Sequence, residues 1–201
     1  MKKILASFLV IIMIISSAGC NSASEPESMV TKCCDALKTF DIETASSYFV
    51  LGDLEIENPF TDENIDEQTI EYFTNHAKEM TYVLGETVAE GDKVVIPVTF
   101  TYADVSPVIS AALADFLPQA FALAFSGADN SVTEDLFYSI FMEKTEYVST
   151  ETATATVEFV CIKQDNVWKI MDFSGDVQYE ISNIISCNTV KALDSFENEF
   201  K

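Results

Sequence analysis

The sequence predicts an α+β domain: a curved antiparallel sheet of two long hairpins, covered by N-terminal helices, with a helical insertion between the hairpins. Three observations predict it. Apolar residues recur at helical spacing over residues 28–77, alternate along 81–102 and again along 147–173, and return to helical spacing over the insertion, residues 105–143.

The chain opens with Lys2 and Lys3, a short apolar run from Ile4 to Ile15, and the small residues Ser17, Ala18 and Gly19 ahead of Cys20. That is the layout of a secretion signal over residues 1–19. The apolar run breaks at Ser16 and Ser17, short of the ~20 residues a spanning helix needs. Ser-Ala-Gly-Cys resembles the lipobox of bacterial lipoproteins. The resemblance implies cleavage before Cys20 and a diacylglyceryl group on its sulfur. At ~0.8 kcal/mol per buried CH₂, two acyl chains hold a protein on a bilayer where one does so only marginally. Residues 20–27, "CNSASEPE", are small and polar and read as a tether, which leaves 28–201 as a single acidic domain.

Pro26 opens a helix with Met29, Val30, Cys33, Leu37 and Phe40 on one face. Asp41 caps a short second helix with Ile42, Ala45 and Phe49, and Asp62 caps a third through Ile65, Ile70, Phe73 and Ala77. Thr81–Ala89 and Lys93–Tyr102 flank the turn "EGDK", and Pro97 inside the second run marks an edge position or a bulge. Between Val105 and Phe125 nearly every position is apolar; Pro118 is expected to kink or divide this helix. Ser131 with Glu134 forms a capping box for the next helix. A second hairpin runs from Tyr147 through "QDNV" to "WKIMDF", and residues 177–201 suit one or two closing helices.

The helix pair "CCDALKTFDIETASSYF" and the hairpin "VEFVCIKQDNVWKIMDF" resemble the cystatin-like, nuclear transport factor two-like domains of bacterial lipoproteins. The resemblance implies helices wrapped by a curved sheet, with a pocket in its concavity. In that superfamily such pockets bind small molecules or, in a few members, catalyse proton transfer with acidic and tyrosine side chains.

Charge narrows the partners. Eleven lysines, no arginine and 33 acids give a net charge of −22, and loss of Lys2 and Lys3 with the signal deepens it. Nucleic acid is excluded as a partner, since its binding rests on Lys and Arg displacing counterions. Anionic headgroups repel such a surface, so the domain is expected to stand off the bilayer on its tether.

Sites of chemistry are few. His76, the only histidine, sits at the end of a helix in "TNHAKEM", where a positive group complements the helix dipole; a general base is the alternative. Nothing in the spacing sets Cys33, Cys34, Cys161 or Cys187 beside it, and no C-x-x-C pair suggests zinc. Cys33 or Cys34 could pair with Cys161 or Cys187, or all four could be buried free thiols. The acidic run from Asp53 to Glu71 fails the calcium-loop template: Glu67 stands where the turn glycine belongs and Phe73 where the bidentate glutamate does. No catalytic residue, metal ligand or cofactor is nominated.

The candidate binding surface comprises Phe100, Tyr102, Phe159 and Trp168 on the sheet and Phe116 and Phe121 on the apolar helix. The function expected is non-enzymatic binding of a protein partner or a small apolar ligand, by a protein held through lipid on Cys20 at the extracytoplasmic face of the cell membrane. The alternative is an enzyme of the cystatin-like superfamily using acids and tyrosines in the concavity. Burial of the apolar helix in the domain core is the default expectation for a helix apolar all round. A filled concavity with an exposed helical patch points to partner binding, and an open one with converging Asp, Glu or Tyr points to catalysis.

Overall fold

A computed structural model describes residues 24–52, 54, 65–127 and 130–199. Ser24 caps the first helix, α1 (Glu25–Lys38): its hydroxyl accepts the Glu27 amide, and the Glu27 carboxylate accepts the Ser24 amide in return. Pro26 lies in the first turn, where a missing amide costs no hydrogen bond. Asp41 caps α2 (Ile42–Ser46) through the Thr44 amide. The next helix, α3 (Glu67–Glu79), is capped by Asp66, which accepts the Gln68 and Thr69 amides and the Thr69 hydroxyl. The expected cap, Asp62, lies outside the described residues, and the helix starts five residues beyond it.

Five strands follow: β1 (Thr81–Leu84), β2 (Val88–Glu90), β3 (Lys93–Asp104), β4 (Glu151–Gln164) and β5 (Val167–Ile170). All neighbours are antiparallel, in the order β1–β3–β4–β5, with β2 sharing the β1 edge of β3. Gly91 and Asp92 close the β2–β3 turn with a positive φ at the glycine alone, as a type II′ turn requires. Asp165 and Asn166, at φ 48° and 66°, make the type I′ turn between β4 and β5. Pro97 sits in an interior strand. Between the Leu84–Val98 and Val88–Val95 pairs the edge has three residues against two, a bulge that opens the ladder opposite the proline.

Alternation divides the sheet into two faces. Ile96, Val98, Phe100 and Tyr102 on β3, with Val157, Phe159 and Cys161 on β4, are buried against α1, α2 and the helix α6 (Gly175–Ile185). The opposite face carries Thr99, Thr152, Thr154, Thr156 and Glu158, all exposed.

Between β3 and β4 the chain forms α4 (Ser106–Ser126) and α5 (Asn130–Thr145), and it ends in α7 (Thr189–Glu199). Pro118 does not divide α4, and α5 begins one residue before Ser131, which therefore lies inside the helix instead of capping it. These helices and α3 enclose a second core around Phe73, Val105, Val108, Ile109, Ala112, Leu113 and Phe141.

The architecture is α+β, with seven helices and a five-stranded sheet among the described residues, but the expected curved sheet of two long hairpins is not found. The sheet is open and uncurled. β1, β2 and β5 hold three or four residues each, while β3 and β4 pair without interruption from Lys93–Ile162 to Asp104–Glu151. Bulges bend strands around a helix, and the bulge lies on the outer edge, leaving the central ladder uninterrupted. The cover is also not solely N-terminal, since α6 contributes Ile181, Ile184 and Ile185 to the first core. The resemblance to cystatin-like, nuclear transport factor two-like domains is therefore overturned.

Candidate functional site

The sheet offers no concavity. Phe100 and Phe159 have no exposed surface and Tyr102 only 5%, and all three belong to the first core. The Tyr102 hydroxyl donates to Asn188 Oδ1 at 3.2 Å, and burial pushes it up to about 12. It therefore stays protonated and engaged. Trp168 is half-buried elsewhere, in a groove between the start of α1 and the β4–β5 turn, with the Lys163 ammonium 5.7 Å from its ring centre. Phe116 packs edge-on against Phe137 at 5.4 Å, and Phe121 stands 63% exposed. The six aromatics thus fall in three separate places.

Nucleophiles fare no better. Cys33, Cys34, Cys161 and Cys187 are all buried free thiols. Burial pushes Cys33 and Cys187 up to about 12, Cys161 up to about 11 and Cys34 further still. The thiolate is the reactive form, so these groups are inert at neutral pH. His76 packs edge-on against Tyr72 at 4.5 Å, and its Nδ1 is buried 3.6 Å from Glu79 Oε2, too far for a hydrogen bond. Among the described residues no three His, Cys, Asp or Glu side chains gather as metal ligands, and Asp66 spends its oxygens on the α3 cap.

The distinctive feature is α4. Its first half is anchored: Asp104 accepts the Ser106 amide and hydroxyl at 2.9 and 2.6 Å, and Val108, Ile109, Ala112 and Leu113 are buried. Its only charged side chain, Asp115, pairs with Lys144 on α5. Beyond that pair the helix projects. Residues 116–127, "FLPQAFALAFSG", carry no charge, and Phe125 is 91% exposed. Burial of the whole helix in the core, the default for such a sequence, is not what the fold provides. The helix is long and apolar enough to cross a membrane by length and composition, with a mean hydropathy of 1.7, yet 22% of that window is buried. The stretch beyond Asp115 is about 16 Å at ~1.5 Å per residue, half of a bilayer core of ~30 Å.

Along the sequence flanking the projection, charge is of one sign. No lysine, arginine or histidine occurs between Lys93 and Lys144, and Glu134 and Asp135 on α5 are exposed. The segments flanking the apolar stretch thus carry carboxylates as their charged groups.

A cavity of about 260 Å³ lies beneath it, between α3, α4, α5 and the α6–α7 turn, lined by Phe73, Ile109, Phe137, Phe141 and Leu193 among others. Neither this cavity nor Phe125 was legible in the sequence. Each stripe of apolar residues announces one helix face, but which faces converge on a common space depends on packing angles. On a helix apolar all round, the pattern does not separate the inner side from the outer.

Cys20 and the secretion signal lie outside the described residues, and nothing among those described supports a signal peptide, lipobox or membrane anchor. The four described cysteines are interior and offer no lipid attachment point. No family model, no curated protein and no solved structure matches this chain.

Proposed function

We propose that the protein is held on the extracytoplasmic face of the cell membrane through lipid on Cys20, and that it binds a protein partner, without catalysis, through the C-terminal half of α4. The exposure of Phe121 and Phe125 on an uncharged helix carries this reading. The partner's chemistry follows from the flanking charge. Glu134 and Asp135 favour an apolar helix flanked by lysine or arginine, and they repel both a second copy of this chain and anionic lipid.

Position supports a protein over the bilayer. The start of α1 lies at the turn end of the sheet: the Thr87 hydroxyl donates to Glu27 Oε1 at 2.5 Å, and Glu25 and Met29 share a groove with Asn166 and Val167. β3 then runs twelve residues away from that end, roughly 40 Å at ~3.3 Å each, before α4 begins. A short tether at one end leaves the start of α4 at the other.

Two experiments test the two halves. Cys20→Ser moves the protein from membrane to soluble fraction in a bacterial host, and mass spectrometry of the wild type finds acyl chains on the N-terminal peptide; an unmodified, soluble wild type sinks the anchor. For docking, an amphipathic model helix of leucine and lysine binds the wild type, and one of leucine and glutamate does not. Phe121→Asp with Phe125→Asp abolishes binding although it adds negative charge. Retained binding in that variant, a dimer that depends on these phenylalanines, or their insertion into zwitterionic vesicles would each overturn the reading.

A further inference from the structure

The cavity beneath α4 has a shape and a chemistry of its own. Phe73 and Phe141 stack with ring centroids 5.6 Å apart and planes 3° from parallel, and Phe137 extends the stack 6.4 Å from Phe141 at 20°. Ile109 and Leu193 close other sides. Leu193 is 43% exposed and stands at the mouth, whereas Ile109 is buried.

Both threonine hydroxyls on the lining are already engaged. The Thr69 hydroxyl donates to Asp66 Oδ2 at 2.6 Å, and the Thr189 hydroxyl donates to the Ser186 carbonyl at 2.7 Å. Among the described residues no charged side chain lines the space. Water there finds few partners, so hydrocarbon replaces it favourably, and a volume of about 260 Å³ exceeds the ~150 Å³ that suffices to hold benzene in an apolar cavity.

We infer that the cavity between α3, α4, α5 and the α6–α7 turn is a binding site for an uncharged, predominantly hydrocarbon molecule of about bicyclic size, with a flat ring extending the stack of Phe73, Phe141 and Phe137. Flatness follows from the stack, since a ring added to it in offset fashion gains more contact than a branched chain. Ionised ligands are refused, because nothing on the lining repays the loss of their hydration. The site is separate from the docking surface on α4: Phe121 and Phe125 do not line it.

Naphthalene is the probe. Titrated into the purified full chain, it binds saturably with one-to-one stoichiometry and raises the melting temperature. Leu193→Trp, which fills the mouth, weakens binding by at least about tenfold, with circular dichroism unchanged. The Phe121→Asp, Phe125→Asp variant binds naphthalene as the wild type does, so a failure here is distinct from a failure of partner docking. Nuclear Overhauser contacts from naphthalene to the rings of Phe137 and Phe141 give a second readout that does not depend on Leu193→Trp folding. The inference falls if binding is not saturable, if those contacts are missing from the complex, or if the α4 substitutions remove binding and Leu193→Trp leaves it intact.

Discussion

Gly85 donates its amide to the Pro97 carbonyl at 2.7 Å, and a Cβ on Gly85 would meet Pro97 Cγ at 2.8 Å. Glycine is needed here for approach rather than for an unusual φ, and the contact sits at the one-residue bulge between β1 and β2. Gly85→Ala is expected to lower stability by about 1–3 kcal/mol, as overpacking does. Pro97→Ala in the same chain removes the obstructing ring and recovers part of that loss. Urea unfolding of both single variants and the pair would show the coupling, and additive effects would remove the explanation.

The four interior thiols give a chemical prediction. Dithionitrobenzoate should leave Cys33, Cys34, Cys161 and Cys187 untouched in the native protein and modify all four once it is unfolded. A disulfide would appear as thiols missing from the unfolded count. Their raised pKa values also set a limit at alkaline pH. The stabilisation is complete below the unfolded thiol value of ~8.5 and is lost as pH rises through the folded values toward about 12.

Asp104 links the end of β3 to the start of α4. Burial acts to raise its pKa, but the Ser106 hydroxyl and amide, together with Asn188 and Lys191, outweigh burial and hold the carboxyl below its usual range. This contribution is complete above the unfolded value of ~3.9 and is lost as pH falls through the lower folded one. Asp104→Asn should therefore lower the melting temperature at neutral pH and flatten its decline between about pH 5 and pH 2. An unchanged acid profile would show that the carboxylate is not ionised in these bonds.

The exposure of α4 and the burial of its neighbour predict opposite outcomes for two phenylalanines. Phe125→Asp, at a site 91% exposed, should alter stability by no more than about 0.5 kcal/mol. Phe141→Ala, at a site 1% exposed among Phe73, Phe137 and Tyr72, should cost about 3–5 kcal/mol. Thermal or chemical denaturation measures both, and comparable losses would mean that α4 is packed along its whole length.

Local chemistry was legible where a side chain acts within its own turn. Asp41 caps α2 as its position announces, and "EGDK" and "QDNV" close hairpins because each places its φ-tolerant residues at the central positions. Asp62 and Ser131 were misread: Asp66 makes the α3 cap, and α5 starts one residue early, so a good capping residue near a helix start does not fix the start. Sheet curvature was not legible, since alternation along β3 and β4 fixes which side chains face the core and says nothing about how far the strands bend. The candidate aromatics scattered for the same reason. Phe100, Tyr102 and Phe159 share a face by period two, but that face lies under α1 and α6, which the alternation does not reveal.

The longest ladder in the sheet joins β3 and β4, with everything from Val105 to Thr150 between them. Closing so large a loop costs chain entropy before any of its cross-strand contacts can repay it. Collapse of the α4–α5 hairpin onto itself shortens that excursion, so the helical lobe is expected to organise early and bring the two long strands into register. Refolding should then be slow for a chain of this size and sensitive to substitutions at Ala112 or Ile140, far from the pairing they make possible.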